Sequence, residues 1–192
     1  QWGYVAVIRS QPTLGIWFIG NDMMERHVAE QSAILDWLEG QNVNPESPLY
    51  GMADADNAGS IGHSFGNGPT INAAVTEPRI RAAVTLDATQ VSWEQDWRAI
   101  AESGVAFMYI GVDEGGWCSQ PIGLGPRLLD VSNPPAMEVI IAGGDHLDFM
   151  EDMYGLVFVG QFGCGLGTAD SQDVRDIAQR YLISWFNVQL KG

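Results

Sequence analysis

The sequence predicts a single α/β domain over 1–192, with a mainly parallel sheet and flanking helices. Three observations predict it. Short apolar runs at 4–8, 80–86, 105–110 and 138–142 suit strands buried on both faces. Segments with helical spacing lie between or around these runs, so the order is strand and helix in alternation. Hydrophobic residues make up 46% of the 192 and charged residues 17%, enough for one real core and against disorder. No run approaches the ~18 apolar residues of a membrane span, and neither an internal repeat nor a second domain is visible.

Each element has a local reason. Tyr4, Val5, Ala6, Val7 and Ile8 are apolar and partly β-branched, and Arg9-Ser10-Gln11-Pro12 bounds them, which predicts a buried parallel strand. Asn21 or Asp22 is placed to cap a helix carrying Val28, Ala29, Ala33, Leu35, Trp37 and Leu38, with Gly40 as its stop. His27 sits early on this helix and takes no role. Residues 42–57 are rich in Asn, Pro, Ser, Gly and Asp and read as a loop. Ala58, Gly59, Ser60 and Ile61 form a strand that is weak by composition but well placed. A short helix of small residues follows, with Pro69 in its first turn.

Glu77-Pro78-Arg79 then breaks the chain before the strand at 80–86, which ends at Asp87. Residues 91–102 read as a helix or lid-like segment, with Trp93 and Trp97 four apart on one face. The strand at 105–110 runs into a Gly- and acid-rich turn holding Asp113. A Pro/Gly-rich stretch covers 118–135. The last strand, 138–142, leads into Gly143-Gly144-Asp145-His146. A final helix over 171–190 carries the stripe Val174, Ile177, Ala178, Tyr181, Leu182, Trp185 and Phe186.

The functional reading centres on Gly62-His63-Ser64-Phe65-Gly66, between a strand and a small-residue helix. Small residues two before and two after a serine suit a sharp strand-to-helix turn, which presents the hydroxyl at the tip of a sheet. Alone, the pentapeptide is also an ordinary Gly-rich turn. Parallel sheets gather functional residues beyond the C-terminal ends of their strands. Ser64, Asp87, Asp113 and His146 all fall there, in the order serine, acid, histidine. Ser64 needs a base, and His146 is the one eligible histidine, since His63 lies inside the turn and reads as scaffold. A carboxylate must orient the imidazole. By position both Asp87 and Asp113 are candidates for it, and Glu114 and Asp145 are weaker ones. The N–H of Phe65, next to Ser64 at a helix N-terminus, is the candidate oxyanion donor.

The formal net charge is −15, and the only lysine is Lys191. This argues against nucleic acid or an anionic membrane as partner, and against stable membrane insertion. It suits a neutral or apolar substrate. No nicotinamide, phosphate or metal signature is present, so no cofactor and no metal is expected. Cys118 and Cys164, 46 residues apart, allow either one disulfide or two buried thiols.

Three stretches carry a family resemblance: Ile61-Gly62-His63-Ser64-Phe65-Gly66, Arg79-Ile80-Arg81-Ala82-Ala83-Val84-Thr85-Leu86-Asp87, and Gly144-Asp145-His146-Leu147-Asp148-Phe149. They resemble secreted bacterial α/β-hydrolases of the dienelactone hydrolase superfamily. Among its branches, the platelet-activating-factor acetylhydrolase and chlorophyllase groups look most similar. Ser47-Pro48-Leu49-Tyr50-Gly51 and Cys164-Gly165-Leu166-Gly167 add to it, so the resemblance covers most of the chain from Tyr4 onward. It implies Asp87 as the acid, with Asp113 as runner-up. It also implies pairing of Cys118 with Cys164, and with it a secreted or periplasmic location.

The sequence departs from that pattern in two places. Asn67 stands where the family has a second glycine. The strands that normally precede residue 4 have no counterpart, which implies a truncated α/β-hydrolase fold and leaves the second oxyanion donor unassigned. Either the chain is a fragment, or the sheet closes around what remains. In the latter case the turn at Gln11 would donate, and the shortened sheet would favour an oligomer.

The leading reading is therefore a serine esterase acting on a small-molecule or polymeric ester, with lipid esters and polyesters among the substrates. Trp93, Trp97 and Trp117 are the candidates to line the substrate pocket, Trp93 and Trp117 foremost, against the alternative that each serves only core and lid packing. The other functional reading is a non-catalytic binding protein or inactive remnant with the same fold.

Overall fold

The computed structural model describes residues 3–8, 21–88, 96–116, 118–119, 124–133, 135–151, 164 and 167–192. Among them the elements run in the order α1 (Asn21–Val43), β1 (Ala58–His63), a 3₁₀ turn (Ser64–Gly66), α2 (Asn67–Thr76), β2 (Ile80–Leu86), α3 (Trp97–Glu102), β3 (Ala106–Val112), α4 (Leu124–Val131), β4 (Ala136–Ile141) and α5 (Ser171–Lys191). The strands form one sheet in the order β1-β2-β3-β4. Every pair is parallel, with Ile61 opposite Val84, Val84 opposite Met108, and Met108 opposite Met137.

The pleat sends alternate side chains to two cores. On one face Ala83 and Phe107 meet Leu35 and Leu38 of α1, Ile71 and Ala74 of α2, Ile100 of α3 and Leu128 of α4. On the other, Ala82, Val84, Met108 and Ile110 meet Val174, Ala178, Trp185 and Phe186 of α5. β3 is buried along its whole length, as a continuous apolar run requires, whereas β4, at the sheet's edge among the described residues, is exposed along much of its length. Because all four strands point the same way, their C-terminal ends lie along one rim of the sheet.

The entry to β2 is fastened to α1 by charge. The Arg79 guanidinium donates to Glu77 at 2.7 and 2.8 Å, to Asp36 at 2.8 Å and to Glu39 at 2.9 Å. Hydrogen bonds from Arg79 hold the Glu77 carboxyl down at about pKa 2.

The structure corrects several expectations about the elements. Residues 4–8 carry no strand pairing, and Val7 and Ile8 are exposed. Their neighbours explain this. Val5 packs on the α1 side, while Tyr4 lies along α5, donating its hydroxyl to Asn187 Oδ1 at 2.9 Å. An apolar pattern predicts burial, but it does not supply the ladder bonds that make a strand. α1 runs through Gly40 to Val43, because a solvent-facing glycine costs only about 1 kcal/mol and does not by itself end a helix. α3 begins at Trp97, capped by Asp96, whose carboxylate accepts from the N–H groups of Arg98 and Ala99. α4 lies inside the Pro/Gly-rich stretch that reads as loop, and the buried Leu128 is its anchor. On α5 the apolar stripe is wider than the buried face, since Ile177 and Tyr181 are exposed.

Candidate active site

Ser64 stands directly after β1 with φ at 54°, in the left-handed region that non-glycine residues rarely adopt. Gly62 makes the turn sterically possible. A Cβ there would lie 2.3 Å from the Gly66 carbonyl oxygen and 2.6 Å from Thr70 Oγ1. Gly66 itself carries no such constraint, because a Cβ there would meet nothing within 4 Å. No crowding therefore demands a small residue at position 66; the crowding is all on the Gly62 side.

The rim brings three of the four candidate residues together. Ser64 Oγ is 2.9 Å from His146 Nε2, and His146 Nδ1 is 2.5 Å from Asp87 Oδ2. Asp87 is fully buried and His146 nearly so. Asp87 also has positive φ, 37°, and its N–H is held by the Ile110 carbonyl at 2.7 Å. Asp113 is engaged elsewhere: its Oδ1 accepts from the Gly143 N–H at 2.6 Å, bracing the turn after β4. Glu114 accepts from Thr168 N at 2.9 Å.

The His146 loop is fixed from below. Asp145 accepts from the N–H groups of Leu147 at 2.8 Å and Gly167 at 3.0 Å. Asp148 accepts from Asp145 N at 2.7 Å and from Ser171 Oγ, at the start of α5, at 2.5 Å. Asp145 thus supports the loop and does not face the imidazole of its neighbour.

Sequence reasoning treats His63 only as scaffold, and the structure gives that scaffold a specific contact. Its Nε2–H donates to the His146 carbonyl at 2.9 Å, and the two rings lie 4.8 Å apart. Burial, then the proximity of His146, pushes the His63 pKa down to about 4. Asn67, the departure from the family glycine, is buried and donates from Nδ2 to the Leu86 carbonyl at 2.9 Å, tying the start of α2 to the residue before Asp87. Tyr109 and Ser119 also flank Asp87. Burial, then the Asp87 charge, raises the Tyr109 phenol, and the Ser119 hydroxyl donates to Asp87 Oδ2. Strand register points to Tyr109, which lies opposite Thr85. No pattern in the sequence points to Ser119.

Phe65 is the middle residue of the 3₁₀ turn and is partly buried. Gln11, Trp93 and Trp117 lie outside the described residues. Trp97 packs against the core, with the Arg127 guanidinium 4.2 Å above its ring. Cys118 and Cys164 are joined by a disulfide with an S–S distance of 2.07 Å.

A family model described as PET hydrolase-like matches residues 19–116, just over half of the chain. The chain belongs to this PET hydrolase-like family. The match runs through β3 and takes in Ser64, Asp87 and Asp113, while His146 lies beyond it. Membership bears out the expected α/β-hydrolase architecture, and it makes the chain a carboxylic-ester hydrolase at the level of the family. A comparison with curated proteins returned no match. Among the described residues of this PET hydrolase-like chain, no helix is long and apolar enough to cross a membrane.

Proposed function

We propose that this protein is a serine hydrolase that cleaves carboxylic esters through an acyl-enzyme on Ser64. The observation that carries the reading is the unbroken line from Ser64 Oγ to His146 Nε2 and from His146 Nδ1 to Asp87 Oδ2. In the first half-reaction Ser64 Oγ attacks the ester carbonyl carbon, and its proton passes to His146 Nε2. The oxyanion is stabilised by the Phe65 N–H, next to the nucleophile at the positive end of the helical turn. The tetrahedral species then collapses, and His146 returns the proton to the leaving alcohol. Water activated by His146 attacks the acyl-enzyme, releasing the acid and restoring Ser64. Asp87 holds the imidazole in the tautomer that keeps Nε2 toward Ser64 and stabilises the imidazolium formed in each half.

Family membership supports polyesters as the substrate class, and the acidic surface, with few cations, suits a neutral polymer. The disulfide supports an oxidising, exported setting. Turnover of p-nitrophenyl butyrate by the wild type and by Ser64→Ala tests the mechanism, together with fluorophosphonate labelling of Ser64. The variant loses turnover and labelling. Equal rates in the two proteins would overturn the esterase reading and leave a non-catalytic binding protein.

A further inference from the structure

We propose that Ser119 is a positioning residue for Asp87, holding the carboxylate against the imidazole of His146 throughout the reaction. The proposal rests on the triad reading above. Asp87 has no exposed surface, so water cannot solvate it and protein donors must. Among the described residues His146 Nδ1–H and the Ser119 hydroxyl both donate to Oδ2, and the Tyr109 phenol also lies against the carboxylate. Oδ1 has no partner among those residues.

The two donors on Oδ2 differ in one respect that matters for catalysis. His146 gains and loses a proton in each half-reaction, so its bond to Asp87 strengthens and relaxes with the cycle. Ser119 stays neutral. The Asp87 backbone is pinned by its bond to the Ile110 carbonyl, yet the terminal carboxylate torsion is intrinsically broad. A donor of constant charge on Oδ2 fixes that torsion when the imidazole is neutral and its own hold is weakest.

The placement of Ser119 is built into the fold. Gly115 leaves the space that the Ser119 side chain fills: a Cβ at Gly115 would lie 1.6 Å from Ser119 Oγ and 2.2 Å from Ser119 Cβ. The Ser119 N–H donates to the Gly115 carbonyl at 3.2 Å. The preceding residue, Cys118, is buried and anchored to Cys164. Glycine, backbone bond and disulfide together aim one hydroxyl at one carboxylate oxygen.

The test compares Ser119→Ala with the wild type in kcat and KM on p-nitrophenyl butyrate. It adds the far-downfield proton resonance of His146 Nδ1–H, which reports the bond to Asp87. Ser119→Ala is expected to lower kcat on the order of tenfold with KM nearly unchanged, and to move that resonance. Ser119→Thr, which keeps the hydroxyl, retains more activity than the alanine variant. In an Asp87→Asn background the Ser119→Ala change adds little, because the group it acts through is already lost. Unchanged kcat in Ser119→Ala would overturn the proposal. So would a loss of kcat with the Nδ1 proton unmoved, or a full additional loss on top of Asp87→Asn. Failure of the triad reading itself would show separately, as undiminished turnover by Ser64→Ala.

Discussion

His63 Nε2 lies 2.9 Å from the carbonyl oxygen of His146, so the residue before Ser64 holds the backbone of the residue that receives the Ser64 hydroxyl. The contact requires a proton on His63 Nε2. It therefore survives in the neutral ring, and the fold keeps the ring neutral by burying it beside a second imidazole.

The first prediction follows from that burial. The pKa of His63 is lowered from 6.5 to about 4, so between these values the unfolded chain takes up a proton that the folded chain refuses. The stability His63 contributes is thus full above pH 6.5 and is lost as the pH falls through about 4. Replacing His63 by Phe removes this dependence. Calorimetric melts at pH 7 and pH 4.5 should show the wild type losing Tm relative to His63→Phe on acidification. A gap that stays constant with pH would refute the assignment.

How much of this was legible from residues alone depends on the kind of force involved. β2 coincides with its predicted span, because Ile80–Leu86 is a mostly apolar, partly β-branched stretch closed by a Pro turn on one side and Asp87 on the other. α5 follows from its periodicity. The convergence of Ser64, Asp87 and His146 was readable because a parallel sheet collects strand ends at one rim. The failures share a different cause. The run at 4–8 is exposed except at Val5 and pairs with no strand among the described residues, and Gly40 is tolerated inside α1. Ser119 and Asn67 reach the site through single side-chain bonds to distant elements. Local pattern encodes burial and periodicity, but it does not encode which hydroxyl or amide meets which distant acceptor.

The second prediction separates the two aspartates. Asp87 touches His146, whereas Asp113 braces the Gly143 turn. Asp87→Asn replaces a charged acceptor by an amide that no longer favours the imidazolium and can select the wrong tautomer. By analogy with other serine triads kcat should fall by roughly 10⁴-fold. Asp113→Asn keeps a carbonyl oxygen able to accept from Gly143 N–H, and its loss should stay below about tenfold. Steady-state kinetics on p-nitrophenyl butyrate decide the matter, and a larger loss for Asp113→Asn would reverse the assignment.

The third prediction concerns the disulfide between Cys118 and Cys164, which closes a loop spanning a sequence separation of 46. Closing a loop of that length in the unfolded chain is worth about 4 kcal/mol on chain-entropy grounds. For a domain of this size, such a difference corresponds to a Tm change of about 10 °C. The loop carries β4 and the His146 turn, and its near anchor is the neighbour of Ser119. Reduction should therefore act twice. It should lower Tm by that amount, and it should lower kcat at temperatures where the reduced protein is still folded, because Ser119 loses one of the constraints that aim it at Asp87. Thermal melts and initial rates with and without reductant, repeated on the Cys118→Ser/Cys164→Ser variant, measure both effects. A Tm that moves by less than about 2 °C would show that the bridge does not restrain the unfolded chain as supposed. A lowered Tm with full kcat in the folded range would place Ser119 under the control of Gly115 and the local backbone alone.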